Sequence, residues 1–252
     1  RDLAAAIVGA MGTIAPVAKI EIAGPGFINF TLSPQALAAS LDEARTQDGW
    51  GNNEDMKGQN VVIEYTSPNL FKPLHIGNLV GNVLGESISR LLQFGGASVR
   101  RVNYPSDIGL TVAKGVWGLQ KIHGNPTDIL SLGEAYRVGN ESYETGGESK
   151  SEIEAINKKL YESSDSELNT LRETGIKTSR AHLDTICKKL GTIFDAEIFE
   201  SEAAPVGRDT VLTHIDDGIF EKSDGAIVFP ERNSGLHTRV FITSHGLPTY
   251  ET

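Results

Sequence analysis

The loop at residues 67–78, with the sequence SPNLFKPLHIGN, holds the side chains of this chain that are best suited to chemistry. It lies between a predicted buried strand at 61–65 and the predicted start of a long helix. Parallel α/β sheets bind ligands at this position, beyond the carboxyl end of a strand. Free N–H groups at a helix start attract anions, and Lys72 and His75 add donors. The loop therefore predicts a site for a nucleoside triphosphate.

Three glycines continue from this loop at intervals of four residues, at Gly77, Gly81 and Gly85. The spacing puts them on one helix face, where a backbone or a flat base can come close. Such a row usually marks tight helix packing, and a histidine at a helix start is more often a cap or a core residue than a catalyst. Neither the P-loop pattern nor the Gly-x-Gly-x-x-Gly fingerprint is present. The nucleotide prediction therefore depends on the ordered combination of these residues in one loop.

Hydrophobic periodicity predicts the elements that position the loop. Apolar residues recur at helical spacing and define a helix with one apolar face: Ile76, Leu79, Val80, Val83, Leu84, Ile88, Leu91 and Leu92. Gly95 and Gly96 end this helix, and residues 99–104 form the next strand. Strand, helix and strand predict a right-handed βαβ unit with a parallel sheet. We therefore expect an α/β nucleotide-binding fold.

The rest of the chain predicts a smaller module before this fold and a helical insertion within it. Residues 1–45 contain a helix at 3–11, two strands at 19–23 and 27–32, and a helix capped by Ser33. The polar stretch 46–59 predicts a linker, so 60–252 would be the larger domain, with charged helices inserted at about 125–194. After the insertion we expect a strand at 195–199, a helix at 208–217, a hairpin at 220–229 and a strand at 239–242 that returns to the parallel sheet.

Composition limits the classes of protein that the chain can belong to. Its 252 residues are 39% hydrophobic and 22% charged, and no apolar run is long enough for a membrane span, so we expect a soluble, cytoplasmic protein. A single cysteine, Cys187, excludes internal disulfides, Cys-rich zinc patterns and Cys-x-x-Cys redox pairs. The net charge is −10, but residues 57–114 carry six bases against three acids, which predicts a local basic face for phosphates. The chain opens on Arg1 and stops at Thr252 without a terminating signal, so we expect a fragment.

The order of motifs resembles the signature of class I arginyl-tRNA synthetases. The signature runs Pro68-Asn69-x-x-Lys72-Pro73-x-His75-x-Gly77, with Glu64 before it and Gly85, Arg90 and Val99-x-Arg101-x-Asn103-Tyr104-x-x-Asp107-x-Gly109 after it. Further similarities to the bacterial type occur at 24–30, 132–136, 156–159, 236–240 and 246–251. This resemblance covers nearly the whole chain. It implies a Rossmann-like catalytic domain, preceded at 1–45 by the end of the family's N-terminal tRNA-contacting domain.

The resemblance also implies a reaction and the residues that perform it. The family activates L-arginine with ATP to arginyl-adenylate and transfers it to tRNA(Arg). It implies catalytic roles for Lys72, His75 and Asn78, and an ATP site of Lys72, His75, Gly77, Asn78 and Gly81. Arginine would be bound by Glu64, Ser67, Asn69, His75 and Tyr250. Magnesium is expected only with ATP, without a resident metal site or a tightly bound cofactor, and the protein is expected to be a monomer.

Two departures from the family pattern leave an alternative open. The family's His-x-Gly-His is here His75-Ile76-Gly77-Asn78, so an amide replaces a group that can carry positive charge. The chain also stops before the acidic residue that the family places after Tyr250, so we expect these 252 residues alone to be inactive. The alternative is a non-catalytic RNA-binding or regulatory paralogue. Cysteinyl-tRNA synthetases and small adenylyltransferases fit less well, because one needs zinc-binding cysteines and the other lacks the insertion.

Overall fold

The computed structural model of the chain describes residues 1–230, 235 and 237–252. The chain divides into two compact units, one of residues 1–57 with 94–96 and the other of residues 58–93 with 97–252. Across the described ranges, no helix is both long and apolar enough to cross a bilayer. The loop at 67–78 belongs to the larger unit.

The smaller unit contains the two helices and the hairpin that the sequence predicts: α1 (Asp2–Met11), β1 (Val17–Ala23), β2 (Phe27–Leu32) and α2 (Pro34–Thr46). β1 and β2 are antiparallel, with Ile20 opposite Phe30. Ser33 caps α2, because its Oγ accepts a hydrogen bond of 3.1 Å from the backbone N–H of Ala36.

The predicted βαβ unit is confirmed in the larger unit by β3 (Asn60–Glu64), α3 (Ile76–Phe94) and β4 (Ser98–Asn103). β3 and β4 are parallel, with Glu64 opposite Val102. The short strand β5 (Ala196–Glu197) adds to the other side of β4, also in parallel. Glu64 and Asn103 consequently lie at the carboxyl edge of the sheet, where the sequence places the ligand site.

The apolar face of α3 is exposed, and the opposite side of the helix is buried. Exposed residues on this face are Ile76, Leu79, Val80, Val83, Leu84, Ile88 and Leu91, whereas Asn82, Gly85, Glu86 and Ser89 are buried. An apolar helix face ordinarily packs on the core, so periodicity alone indicates the wrong side here. Burial of the polar side is possible because each buried polar group has a partner, such as Tyr65 and Arg101 for Glu86.

The predicted helical insertion is present and carries the main core. Its helices are α5 (Ile129–Thr145), α6 (Glu148–Glu162) and α7 (Ser166–Leu190), which pack with the preceding α4 (Leu110–Ile122). The core includes Val112, Val116, Leu132, Ile153 and Leu160. The α4 and α5 backbones come close at Gly118, where an added Cβ would lie 1.9 Å from the carbonyl oxygen of Ala135. Asp165 caps α7 through the N–H of Leu168.

Two predictions for the last part of the chain are wrong. Helix α8 (Glu200–Thr213) begins before the predicted start at 208. The sequence misses this start because Pro205, which lies in the first turns of the helix, is a residue that usually breaks helices. In the structure the start is capped by the distant Asp107, whose carboxylate accepts from the N–H of Ser201. Strand β8 (Arg239–Ile242) pairs with the hairpin of β6 (Glu221–Ser223) and β7 (Ala226–Phe229), not with the parallel sheet. β8 is antiparallel to β7. Among the described strands β7 directly precedes β8 in the chain, and consecutive strands commonly pair.

Candidate active site

The loop between β3 and α3 is fixed to the segment that follows β4. The backbone N–H of Ser67 donates to Asn103 Oδ1 at 3.1 Å, and Ser67 Oγ accepts from the N–H of Tyr104 at 3.1 Å. Farther along, the N–H of Leu70 donates to the carbonyl of Ser106 at 2.9 Å. These bonds join the carboxyl ends of two neighbouring strands, so the loop is held at the edge of the sheet where ligands bind.

Phe71 anchors the same loop in the helical core. Its side chain is 0% exposed, and its N–H donates to Ser179 Oγ at 2.9 Å. The ring fills space that glycines leave open, because an added Cβ would lie 2.3 Å from it at Gly115 and 2.2 Å at Gly175. Phe71 also has a positive φ of 70°, which is strained for a bulky residue. The packing of α4 and α7 therefore holds the loop in a conformation that it would otherwise avoid.

Replacing Gly175 with alanine should disturb this anchor. The new methyl group would overlap the Phe71 ring, so we expect the free energy of unfolding to fall by about 1 to 3 kcal/mol. Gly81→Ala is the matched control, because nothing lies within 4 Å of its Cβ position and alanine favours a helix. Urea denaturation followed by circular dichroism measures both. Equal stability in the two variants would contradict the anchoring role of Phe71.

The first turn of α3 is capped by its own predicted ligand-binding residues. Asn78 Oδ1 accepts from the N–H of His75 at 3.2 Å, and His75 Nδ1 accepts from the N–H of Gly77 at 3.1 Å. An Nδ1 that accepts a hydrogen bond carries no proton, so the neutral ring carries its proton on Nε2. Both side chains use an acceptor atom for capping, which leaves the His75 Nε2–H and the Asn78 NH₂ group as donors.

The three glycines of α3 have different surroundings. A Cβ at Gly85 would lie 2.2 Å from the Tyr65 ring, so this glycine serves packing. At Gly77 a Cβ would lie 3.0 Å from the His75 ring, so the glycine lets that ring fold over the helix start. Gly81 alone of the three has open space at the Cβ position. The close approach of a ligand to the row is thus possible at Gly81 and blocked at Gly85.

The residues predicted to bind an amino acid lie along the strand edge. Ser67 Oγ donates to the carboxylate of exposed Glu64. The ring of Tyr104 lies edge-on to the ring of Tyr250, with centroids 6.3 Å apart. Asn69 is exposed and forms an isolated bridge with Ser106. Tyr104 thus links the Glu64–Ser67 pair to Tyr250, which is 72% exposed.

Two cavities border these residues. One of about 530 Å³ is lined by Tyr250, Gly109, Tyr161 and Glu200, and the other, of about 230 Å³, includes His75 and Asn78. Burial raises the pKa of the Glu200 carboxyl, and the charge of Asp107 adds to this effect. Burial likewise raises the pKa of Tyr161.

Lys72 lies against the helical insertion. Its Nζ lies 4.5 Å from the centroid of the Tyr136 ring on α5, and burial lowers the pKa of its ammonium group. The basic face that the sequence predicts over residues 57–114 is largely neutralised, since four of its six bases, Lys57, Arg90, Arg101 and Lys114, form ion pairs with acidic side chains. Lys72 makes no ion pair with any described residue. Its positive charge therefore remains available to a ligand.

Comparison with known proteins identifies the family. Residues 40–252 match the family described as "tRNA synthetases class I (R), catalytic domain". The chain belongs to this family. Residues 1–32 match "Arginyl tRNA synthetase N terminal domain". The loop, the parallel sheet and the helical insertion described above are accordingly parts of a class I synthetase catalytic domain.

Curated relatives of the chain are named arginine–tRNA ligases. The protein from Porphyromonas gingivalis is 29% identical over 262 residues, which cover 94% of this chain and 44% of that protein. The protein from Treponema denticola is 32% identical, over 91% of this chain and 40% of its own length. The chain therefore spans less than half the length of the curated relatives it matches.

Two solved structures share the fold. Arginyl-tRNA synthetase from Plasmodium falciparum matches with a TM-score of 0.56 and 20% identity, over 99% of this chain and 44% of that one. The Thermus thermophilus enzyme matches with a TM-score of 0.57 and 23% identity, over 99% of this chain and 42% of that one.

One motif that carries the family resemblance, at 236–240, begins at Leu236, which lies outside the described residues.

Sequence reasoning assigned no role to several residues that shape the candidate site. Asn103 and Tyr104 belong to the family signature, but the signature does not tell that they hold Ser67. Tyr136 belongs to the motif at 132–136, and its contact with Lys72 is not predictable from spacing. Glu200 and Tyr161 carry no sequence signal that distinguishes them from surface residues.

Proposed function

We propose that this chain carries the site for ATP-dependent activation of L-arginine to arginyl-adenylate, followed by transfer to tRNA(Arg). One observation carries the proposal: the family loop connects a carboxylate–hydroxyl pair, Glu64 and Ser67, to a helix start with free donors at His75 and Asn78. A site for a cationic amino acid and a site for phosphates therefore lie at the two ends of one rigid loop.

The phosphates of ATP would bind at the start of α3. His75 Nε2–H and the Asn78 amide supply side-chain donors, and the positive end of the helix dipole adds to the attraction, although the backbone N–H groups of Gly77, Asn78 and Leu79 are bonded within the helix start. Lys72 contributes the full positive charge of the predicted ATP set. Gly77 and Gly81 let the nucleotide approach the helix, since the space beside Gly81 is open.

Arginine would bind beside Glu64, with Ser67, Asn69, His75 and Tyr250 as the other contacts. A carboxylate accepts two parallel hydrogen bonds from the fixed fork of a guanidinium group. The Ser67 hydroxyl donates to Glu64 and so orients that carboxylate. Tyr250 is exposed and its ring contacts that of Tyr104 in a T-shaped arrangement, so its hydroxyl is accessible to a substrate.

The reaction would then proceed by positioning and charge neutralisation. A carboxylate oxygen of arginine attacks the α-phosphorus of ATP, the bond to the β-phosphate bridging oxygen breaks, and pyrophosphate leaves. Magnesium would accompany ATP as part of the substrate and neutralise phosphate charge. Lys72, His75 and Asn78 stabilise the negative charge that grows on the phosphate oxygens in the transition state. In the second step the terminal ribose hydroxyl of tRNA(Arg) attacks the arginyl carbonyl carbon, the bond from that carbon to the adenylate phosphate oxygen breaks, and AMP leaves with the hydroxyl proton lost to solvent.

The remaining assignments follow from this function. Residues 1–45 would be the C-terminal part of the N-terminal tRNA-contacting domain, 46–59 a linker, and 60–252 the catalytic domain. We further propose a monomer that works in the cytoplasm, where tRNA charging takes place.

Arginine-dependent exchange of pyrophosphate into ATP tests the function directly. The protein that carries these residues should catalyse exchange with arginine, and tRNA(Arg) is added in one series in case activation requires it. Lysine, which lacks the guanidinium fork, is the control amino acid and should support far less exchange. Absence of exchange with and without tRNA, despite intact folding, would favour the non-catalytic paralogue.

Glu64→Gln should weaken arginine binding while ATP binding is retained. The substitution keeps the shape and removes the charge, so we expect a loss of about 1.5 to 3 kcal/mol, the value of a hydrogen bond to a charged group. Calorimetric titration with arginine and with ATP measures the two affinities. An unchanged arginine affinity would show that Glu64 is an ordinary exposed strand residue.

A further inference from the structure

Two consecutive residues of the site loop, Lys72 and Pro73, rest on one face of helix α5. The Lys72 ammonium lies 4.5 Å from the centre of the Tyr136 ring. One turn earlier in α5, a Cβ at Gly133 would lie 3.0 Å from Cγ and Cδ of Pro73. The glycine thus lets the proline ring come close, and the tyrosine ring lies under the lysine. Residues 133 and 136 are i and i+3 on the helix, so they share a face.

We propose that Tyr136 is a positioning residue for Lys72, and that its ring face holds the ammonium in place for the phosphates of ATP. This inference rests on the phosphate-binding role proposed for Lys72. A lysine side chain has a flexible four-carbon stem, and its charge is useful in catalysis only when the stem is fixed. Tyr136 fixes it from the insertion, an element that contributes no residue to the predicted ATP set.

An aromatic ring suits this task better than a carboxylate would. The negative face of the ring attracts the cation but adds no formal charge, so the full positive charge remains for phosphate. No acidic side chain among the described residues pairs with Lys72, in contrast to Arg90 and Arg101, which share Glu86. The partial burial that lowers the pKa of Lys72 also reduces the number of water molecules around the ammonium.

The contact itself is tested without any measurement of activity. Reductive ¹³C-methylation labels the lysines and keeps their charge, and Lys72→Arg identifies the Lys72 signal by its loss. In the wild type and in Tyr136→Phe, the ring current should shift this signal upfield, and in Tyr136→Leu it should return to the position of exposed lysines. A Lys72 signal without the shift in the wild type overturns the inference, whatever the function.

Pyrophosphate exchange then tests the positioning. Tyr136→Leu should lower kcat by about 3- to 30-fold with little change in the KM for arginine, because a cation–π contact is lost. Tyr136→Phe should retain the wild-type rate, and Tyr136→Leu should cause no further loss in a Lys72→Ala background. Tyr143→Leu is the control for loss of a ring contact, because Tyr143 lies on the same helix with its ring 4.2 Å from Nζ of Lys114, a lysine outside the predicted ATP set, and its exchange rate should equal that of the wild type.

The outcomes separate this inference from the function it rests on. A wild-type rate in Tyr136→Leu, or an equal loss in the presence and absence of the Lys72 side chain, overturns the positioning role alone. A loss in Tyr136→Phe as large as in Tyr136→Leu also overturns it, since the ring would not be the active feature. A wild-type protein that shifts the Lys72 signal but lacks exchange overturns the proposed function and the role of Tyr136 in it.

Discussion

Replacing Lys72 or His75 with alanine should slow adenylate formation by roughly 10² to 10³, about 2.7 to 4 kcal/mol of transition-state stabilisation. Both side chains would donate to phosphate oxygens whose negative charge grows as pyrophosphate leaves. For His75 the structure gives a specific donor, because Nδ1 accepts from Gly77 and the ring proton is therefore on Nε2. Arginine-dependent pyrophosphate exchange in the protein that carries these residues measures the effect.

The loss should appear in kcat more than in the affinity for ATP, because the donors act most strongly on charge that exists only in the transition state. Lys177→Ala is a suitable control, since this lysine is exposed on α7 and no ion pair of the described residues involves it. Its exchange rate should equal that of the wild type. Normal rates in both Lys72→Ala and His75→Ala would remove the reaction from this loop.

Local sequence patterns were sufficient for the part of the fold that makes the site. A compact β-rich run predicted β3, helical periodicity predicted α3, the strand pattern at 99–104 predicted β4, and the glycines at 95 and 96 predicted the end of the helix. Periodicity failed where distant partners change the outcome. Glu86 is buried because Tyr65 and Arg101 satisfy it, and α8 begins at Glu200 because Asp107 caps it. None of these partners lies within the window that a pattern uses.

In the candidate site, too, local features were predictable from the sequence and contacts with distant residues were not. The sequence around His75, Gly77 and Asn78 predicted the helix start, but the prediction of free backbone N–H groups there is wrong, because those of Gly77 and Asn78 bond to His75 and the donors that remain are on the side chains. The position of Lys72 depends on Tyr136, and that of Phe71 depends on Ser179, 108 residues away. Such contacts require the helical insertion to return to the loop. A sequence resemblance can include both partners and still not reveal that they touch.

The contacts of Asn78, the residue at which the family resemblance breaks off, bear most on whether this loop can be catalytic. Its Oδ1 caps the N–H of His75, so the asparagine supports the helix start that the nucleotide would use. Its amide NH₂ group still offers a neutral donor to phosphate, which is weaker than a charged one but not absent. The substitution is therefore compatible with catalysis by this loop.

The site depends on a buried ionic cluster behind it, in which Glu86 accepts hydrogen bonds from Tyr65 at 2.6 Å, Arg90 at 2.7 Å and Arg101 at 3.2 Å. Tyr65 directly precedes the strained residues Thr66 and Ser67, so the cluster holds the end of β3 where the loop begins. The side chains of Glu86 and Arg101 are only 10% and 13% exposed. Removing the carboxylate charge would leave a buried arginine without its counter-ion.

Glu86→Gln should therefore lower the free energy of unfolding by about 3 to 5 kcal/mol at pH 7, the usual cost of breaking a buried pair.

The stability that Glu86 contributes should depend on pH. Burial alone would raise the pKa of Glu86, but hydrogen bonds from Tyr65 and Arg90 and the charges of both arginines outweigh it, so the pKa is lowered. A lowered pKa means that the carboxylate stabilises the fold above its unfolded-state pKa and loses this effect as pH falls through the folded-state pKa. The difference between wild type and variant should thus be full at neutral pH and shrink below about pH 4. Urea denaturation at both pH values measures it, with Glu141→Gln, which removes one of the two exposed acidic partners of Arg137, as a control that should change stability by about 0.5 kcal/mol or less. Equal losses in the two variants, or a Glu86→Gln deficit that persists at low pH, would show that the cluster does not stabilise the fold through its charges.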